Sequence, residues 1–472
     1  MTRARVVVVA LVGAVLLAGG LLDRADPADR PPARAAEEAS AMPTAAPPTA
    51  LSSTWYCAGA TATAAGPSSA SVVMANPRSR PTRGAVTIVP ATGPLRTVPV
   101  DVAPFSVADV ALGSLAPGAG AAAVVDLQSG EVAAELTLTG GGGSAVTPCA
   151  SAASQGWHFA DGSTARDASL SLSVFNPFPE DAIVDLSFST EQGRAVPADL
   201  QGVVVPARGL VVKEITEHVR RRESVATKMT VRTGRVVAAQ TMGRTATGAA
   251  GISTGLGAPS PAALWYFPDG LVTSEVSERY SVFNPNPREA EVSLEVNLDQ
   301  GAAEPFEITV PAGDRVTLAV NEESRIPKGV GHSAVARSVN GVPVVVSRSM
   351  YVGGSSGSGR TDTLGGRRTA NRWLFPAGGA SQSVDEWVAV QNPGPTAASV
   401  SVSGLSGQDL RMEELQGVRV EPGHRLTFRL GEHARRFPLA VLVTSTSPVV
   451  AERSAYSLGR PGRSSTVGIA LD

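Results

Sequence analysis

The chain is poor in the residues that build chemical sites. Its 472 residues include two Cys and five His. The five His (His158, His218, His332, His424, His433) fall at no three- to five-residue ligand spacing, which argues against a metal centre. Three Lys are present (Lys213, Lys228, Lys328), so 37 of the 40 basic residues are Arg. With Ala, Gly and Pro also abundant, that bias reads as GC-rich coding. Basic and acidic residues nearly cancel, 40 against 42, for a formal net charge of −2. A protein that binds nucleic acid needs a basic surplus to neutralise phosphates, so nucleic acid is not expected as a partner. No Gly-rich phosphate loop ending in Lys-Ser/Thr occurs. Gly353-Gly354-Ser355-Ser356-Gly357 matches G-x-S-x-G literally, but that motif works only as a strand-to-helix turn, and here it lies in a Gly/Ser linker. No catalytic residue, cofactor site or metal site is assigned.

Long apolar runs are also missing, with one exception. Val6–Leu22 is continuous, preceded by Arg3 and Arg5 and ended by Asp23, Arg24 and Asp26. At 1.5 Å per residue it spans about 25 Å, slightly short of a ~30 Å hydrocarbon core. The flanking Arg residues orient the chain with its N-terminus inside. Two readings follow: a single-pass signal anchor over 1–22, or a signal peptide cleaved near Ala18-Gly19-Gly20 or Ala33-Arg34-Ala35. Both put the remainder outside the cytoplasm, as a cell-membrane or a secreted protein. Residues 23–53, rich in Pro, Ala and charge, read as a disordered linker.

What the chain has in quantity is repetition. Trp55, Trp157, Trp265 and Trp373 open similar segments at spacings of 102, 108 and 108 residues, among them Trp265-Tyr-Phe-Pro-Asp-Gly270. About twenty residues on, each copy has Asn-Pro at a strand end (Asn76-Pro77, Asn176-Pro177, Asn284-Pro285, Asn392-Pro393). Three further landmarks recur in order: Val205-Pro206-Ala207 and Val310-Pro311-Ala312; Val344–Arg348 and Val449–Arg453; Gly251–Gly257, Gly359–Gly365 and Gly462–Gly468. Alternation such as Ala290, Val292, Leu294, Val296 predicts half-buried strands. The 49 Gly and 35 Pro supply turns between them. The expected fold is all-β: four tandem antiparallel β-sandwich, immunoglobulin-like repeats at 54–150, 151–258, 259–366 and 367–472. A propeller is the alternative, but blades of ~40–50 residues fit the period less well. The charged pieces Ile215–Arg222, Asn321–Arg325 and Gly431–Arg436 predict one helical turn crossing between sheets.

Cys57 and Cys149 both belong to the first repeat, and Cys57 takes the slot held by Phe159, Phe267 and Phe375. Two cysteines outside the cytosol are expected to form a structural disulfide.

The W-x-F-x-x-G, N-P and V-P-A-G elements, carried by Trp265–Gly270, Val282–Pro285, Val310–Gly313 and Val344–Tyr351, resemble those of a family of uncharacterised actinobacterial envelope proteins. The resemblance covers residues 54–472 and implies location and architecture without supplying catalytic residues. The expectation is therefore a non-enzymatic, membrane-tethered scaffold or interaction module of the cell envelope. A wall-polysaccharide-binding or adhesion protein stands second, and a secreted hydrolase third. Its partners would be the membrane, envelope proteins or wall polysaccharide. The four repeated Trp are expected in cores. Trp387, Arg220, Arg221, Arg222, Arg435 and Arg436 are the residues that could make surface contacts.

Overall fold

In the computed structural model, residues 42–61, 67–113, 120–140, 143–245, 250–301, 303–354, 357–458 and 462–471 are described. The apolar segment 1–22 lies outside them. No helix among the described residues is long and apolar enough to cross a membrane. Ser355 of the G-x-S-x-G match is also outside. The segments flanking it, Val345–Gly354 and Gly357–Leu364, are paired strands, so the strand-to-helix turn that motif requires is not formed.

The chain is all-β and antiparallel. Eight strands make the third Trp-led unit: Leu264–Phe267, Val276–Phe283, Ala290–Leu298, Phe306–Val310, Arg315–Ala319, His332–Ser338, Val345–Gly354 and Gly357–Leu364. They form two sheets with strand orders one-six-three-four and five-two-seven-eight. The first and second units show the same orders, with strand four of the second split into Gly193–Ala195 and Val203–Val205. In the fourth, strands six and seven run on as Ala440–Ser457, which joins both sheets into one of nine strands. The first and second strands lie in opposite sheets, so the order differs from the ABED/CFG arrangement of immunoglobulin constant domains. Turn chemistry and alternation specify strands, whereas strand order depends on which non-local pairs form.

Alternation sets what is buried. Ala290, Val292, Leu294 and Val296 point inward. The serine-rich Ala398–Leu405 does the same, with Ala398, Val400 and Val402 buried and the serines between them half-buried. Each unit's two sheets share one apolar cluster. The four repeated Trp sit in these clusters, and each indole N–H donates to the carbonyl opening strand seven: Trp55 to Val132, Trp157 to Val236, Trp265 to Val344 and Trp373 to Val449, at 2.8–3.0 Å. The Asn of each Asn-Pro pair is buried too. Asn284 Nδ2 donates to the carbonyls of Arg288, Val310 and Pro311, and its Oδ1 accepts from the Asn286 N–H. Asn76 and Asn176 repeat this set, so this side chain fastens two turns where Pro ends the ladder.

Cys57 and Cys149 form a disulfide, and no described cysteine is free. Elsewhere the same pair of positions holds a ring against a glycine. A Cβ at Gly257, Gly365 or Gly468 would come within 2.7–2.9 Å of the Phe159, Phe267 or Phe375 ring. The first unit thus replaces a Phe-over-Gly contact with a covalent bond. Gly365→Ala is expected to cost about 1–3 kcal/mol through overpacking, measured by urea denaturation.

Single helical turns occur at Ile215–His218, Val320–Glu322 and Leu430–His433, each between strands five and six, as the charged pieces predicted. The linker expected to be disordered to residue 53 is placed from residue 42 onward. Ala45 N–H donates to the Ala470 carbonyl, and the Ala46 and Ala50 carbonyls accept from Glu131 and Gly130 N–H. These are backbone bonds to distant strands, which a Pro- and Ala-rich stretch does not signal locally.

Candidate functional site: an axial cavity and charged joints

The eighth strands of the four units meet around one axis and close a ring. Leu256 N–H donates to Thr147 Oγ1 at 3.0 Å, linking units two and one. Ser253 Oγ donates to Asp362 Oδ2 at 2.6 Å, linking two and three. Ser465 N–H donates to Thr361 Oγ1 at 2.9 Å, linking four and three. Val146 N–H donates to Ser464 Oγ at 2.9 Å, linking one and four. On the axis lies a cavity of about 280 Å³, walled by hydroxyl and aliphatic groups of these strands, including Thr147, Leu256, Thr363 and Val467. Met42–Thr44, Arg367, Arg368 and Trp373 also border it.

The joints between units hold most of the buried charge. The Asp-Gly of the Trp-led motif reaches forward into the next unit. Asp161 accepts from Ser349 Oγ at 2.5 Å and pairs with Arg360 at 3.2 Å. Asp269 accepts from Ser454 Oγ at 2.8 Å and pairs with Arg425 at 3.2 Å. Burial alone would raise the Asp269 carboxyl, but Arg348, Arg425 and Arg463 hold it at about 2. Asp161 shares Ser349 with Asp362; burial and the Asp362 charge push Asp161 up.

A second array recurs at two joints. Between units three and four, Arg348 lies between Glu278 Oε1 at 3.9 Å and Glu452 Oε1 at 2.5 Å, all three fully buried. Glu278 Oε2 accepts from Leu271 N–H, and Glu452 Oε2 from Asp269 N–H. Between units four and one, Arg453 pairs with Glu135 at 3.3 Å; Glu386 Oε2 accepts from Gly379 N–H and Glu135 Oε2 from Ala377 N–H. Burial and the Asp269 charge push Glu452 up to about 7 against the pull of Arg348. Burial, Glu135 and Asp385 likewise push Glu386 up to about 7. Glu278 goes the other way: burial is overcome by His332, whose Nε2 is 3.1 Å away, and by Arg348.

The residues assigned to surface contact are dispersed. Trp387 is 36% exposed on strand Val384–Gln391, and its indole N–H donates to Asp385 at 3.2 Å. Arg220 and Arg221 are exposed and Arg222 half-buried beyond the turn Ile215–His218. Arg435 and Arg436 line a groove with exposed Phe437, between Ser106-Val107 of unit one and Leu405–Gly407 of unit four. His158 is buried against the Ala258 carbonyl, and burial lowers it to about 4. His218 and His433, which share a slot, each face a carboxylate, Asp199 and Glu414. No group of three or more metal-type ligands occurs among the described residues.

The joint residues were not singled out as a site from the sequence. Their signal was present, since Arg348 and Arg453, and Arg360 and Arg463, each sit at matching places in recurring landmarks. Linear sequence does not pair them with carboxylates up to 318 residues away.

The class defined by fold and site is therefore an antiparallel β protein of two-sheet units, joined through buried ion pairs around an axial cavity. The model of a family of unknown function (DUF5719) matches residues 136–358, from strand seven of the first unit to the start of strand eight of the third. No curated protein matches the chain. Among solved structures, Thermotoga maritima 1070 is similar at 22% identity over 23% of this chain and 95% of that chain, with a TM-score of 0.21. The Anabaena sensory rhodopsin transducer is similar at 22% identity over 19% and 83%, with a TM-score of 0.17. A tetra-tandem repeat from the extending region of a large adhesion protein is 11% identical over 89% and 99%, with a TM-score of 0.12. Similarity at these levels leaves the function to be read from this chain.

Proposed function

We propose that the chain is a non-enzymatic, extracytoplasmic envelope protein, tethered through residues 1–22, whose four tandem β-sandwich repeats (54–150, 151–258, 259–366, 367–472) act as a rigid scaffold or interaction module. The repeats are immunoglobulin-like in layering, though not in strand order. The observation that carries this reading is the use of the buried charge: Asp161, Asp269, Glu135 and Glu452 are spent on Arg, Ser and backbone partners that join units. Side chains committed in this way resist relative motion of the units and are closed to a substrate. The Cys57–Cys149 disulfide supports an oxidising compartment. A periplasm-dependent phosphatase fused after residue 472 is expected to be active in cells, and the unreduced folded protein to show no reactive thiol. An inactive fusion together with two titratable thiols would place the chain in the cytoplasm and overturn the proposal.

Wall-polysaccharide binding is the second reading, favoured by Trp387, the most exposed of the five Trp. Depletion of the protein by purified wall polysaccharide, lost in Trp387→Ala, would promote it over a purely mechanical role.

A further inference from the structure

The four joints of the ring differ in one respect that charge alone does not reveal. Units one to two, two to three and three to four are successive in the chain. The fourth unit meets the first with no peptide bond between them. That joint is held by apolar contact, with Leu374, Leu405, Ile469 and Leu471 entering the first unit's cluster. The segment from Ala45 to Ala50 lies across it, bonded to Ala470 on one side and to Gly130 and Glu131 on the other. Arg372 pairs with Glu131.

At its centre the joint repeats the array of units three and four without its histidine. His332 N–H donates to the Gly270 carbonyl, and Leu439 N–H donates to the matching Gly378 carbonyl, so Leu439 fills the histidine's place. Glu278 therefore faces His332 and Arg348, whereas Glu386 and Glu135 share Arg453. We infer that the joint between the fourth and first units is the opening seam of the ring, and that it loosens when Glu386 and Glu135 are both ionised.

The groups facing Glu386 are Arg453, Glu135, Asp385 and the Gly379 N–H. Those facing Glu135 are Arg453 and the Ala377 N–H. Asp385 is itself paired with Arg429 at 2.8 Å. Glu386 is pushed up to about 7 in the closed ring, by burial first and then by Glu135 and Asp385. An opened seam returns it to the ordinary carboxyl range near ~4.3. The closed state thus holds the proton more tightly, and opening is favoured as pH rises through about 7. Between pH 6 and 8 the opening equilibrium is expected to rise about tenfold. Glu452 is shifted in the same direction, but its joint lies between consecutive units, and the Asp269 pairs with Arg425 and Arg463 reinforce it.

Hydrogen exchange on the full chain at pH 6 and pH 8, corrected for intrinsic chemical rates, tests the inference. Peptides containing the Ala45, Ala377 and Gly379 amides should lose protection about tenfold. Those containing Leu256 and Ala258, and those containing Asp269 and Leu271, should not. Glu386→Gln should abolish the change, and Glu135→Gln, which leaves Glu386 raised by burial, should reduce it. Unchanged seam protection in the wild-type chain, or loss of protection at all joints together, would overturn it; so would loosening confined to the Asp269 and Leu271 peptides.

Discussion

Arg348→Met is expected to lower stability by about 3–5 kcal/mol, the cost of leaving buried carboxylates without their cation. Arg348 is fully buried between Glu278 and Glu452, and it also helps hold Asp269 ionised. Removing it leaves Glu452, already raised to about 7, with less to offset burial and the Asp269 charge. A carboxyl raised above its unfolded value contributes least when ionised, so the deficit should be largest near pH 8 and shrink toward pH 5. Urea unfolding at the two pH values measures this. The triple change Glu278→Gln, Arg348→Met, Glu452→Gln should recover most of the loss, because replacing a whole buried array with neutral groups is often neutral or stabilising. A single mutant as stable as wild type at pH 8 would show that the array is not buried and closed.

Trp265→Ala should cost a similar amount, about 3–5 kcal/mol, by emptying the centre of the third core. The side chain is fully buried, donates to Val344 at 2.9 Å and lies beneath the Arg367 guanidinium, 5.6 Å from the ring centroid. Trp265→Phe keeps most of the apolar volume and loses the indole bond to the Val344 carbonyl, which still accepts from the Ala262 N–H, for a loss of about 0.5–1.5 kcal/mol. Trp387→Ala should stay within about 0.5 kcal/mol, since that ring covers no core. Thermal unfolding of the three variants ranks them. Equal losses at Trp265 and Trp387 would contradict the division between core and surface tryptophans.

The two classes of residue differ in how readable they were. The recurring Trp, the Asn-Pro turns and the alternating strands announce themselves because each depends on neighbours a few positions away or on a repeated spacing. The pairing of Cys57 with Cys149 also followed from there being two cysteines in the chain. His332 gave no such signal. Its imidazole matters because Glu278 stands beside it across a fold, and its counterpart Leu439 is recognisable only once both backbones bond to Gly270 and Gly378.

By itself, then, the sequence determined the all-β character, the four Trp-led segments, the buried faces and the disulfide, since alternation, turn residues and cysteine count act over short range or by elimination. The tertiary structure alone decided the strand order, the closure of unit four onto unit one, and the joining of Arg453 to Glu135 across 318 residues. Those depend on which surfaces meet when the ring closes. Burying an Arg there is tolerable only where a carboxylate from another unit arrives at the same point.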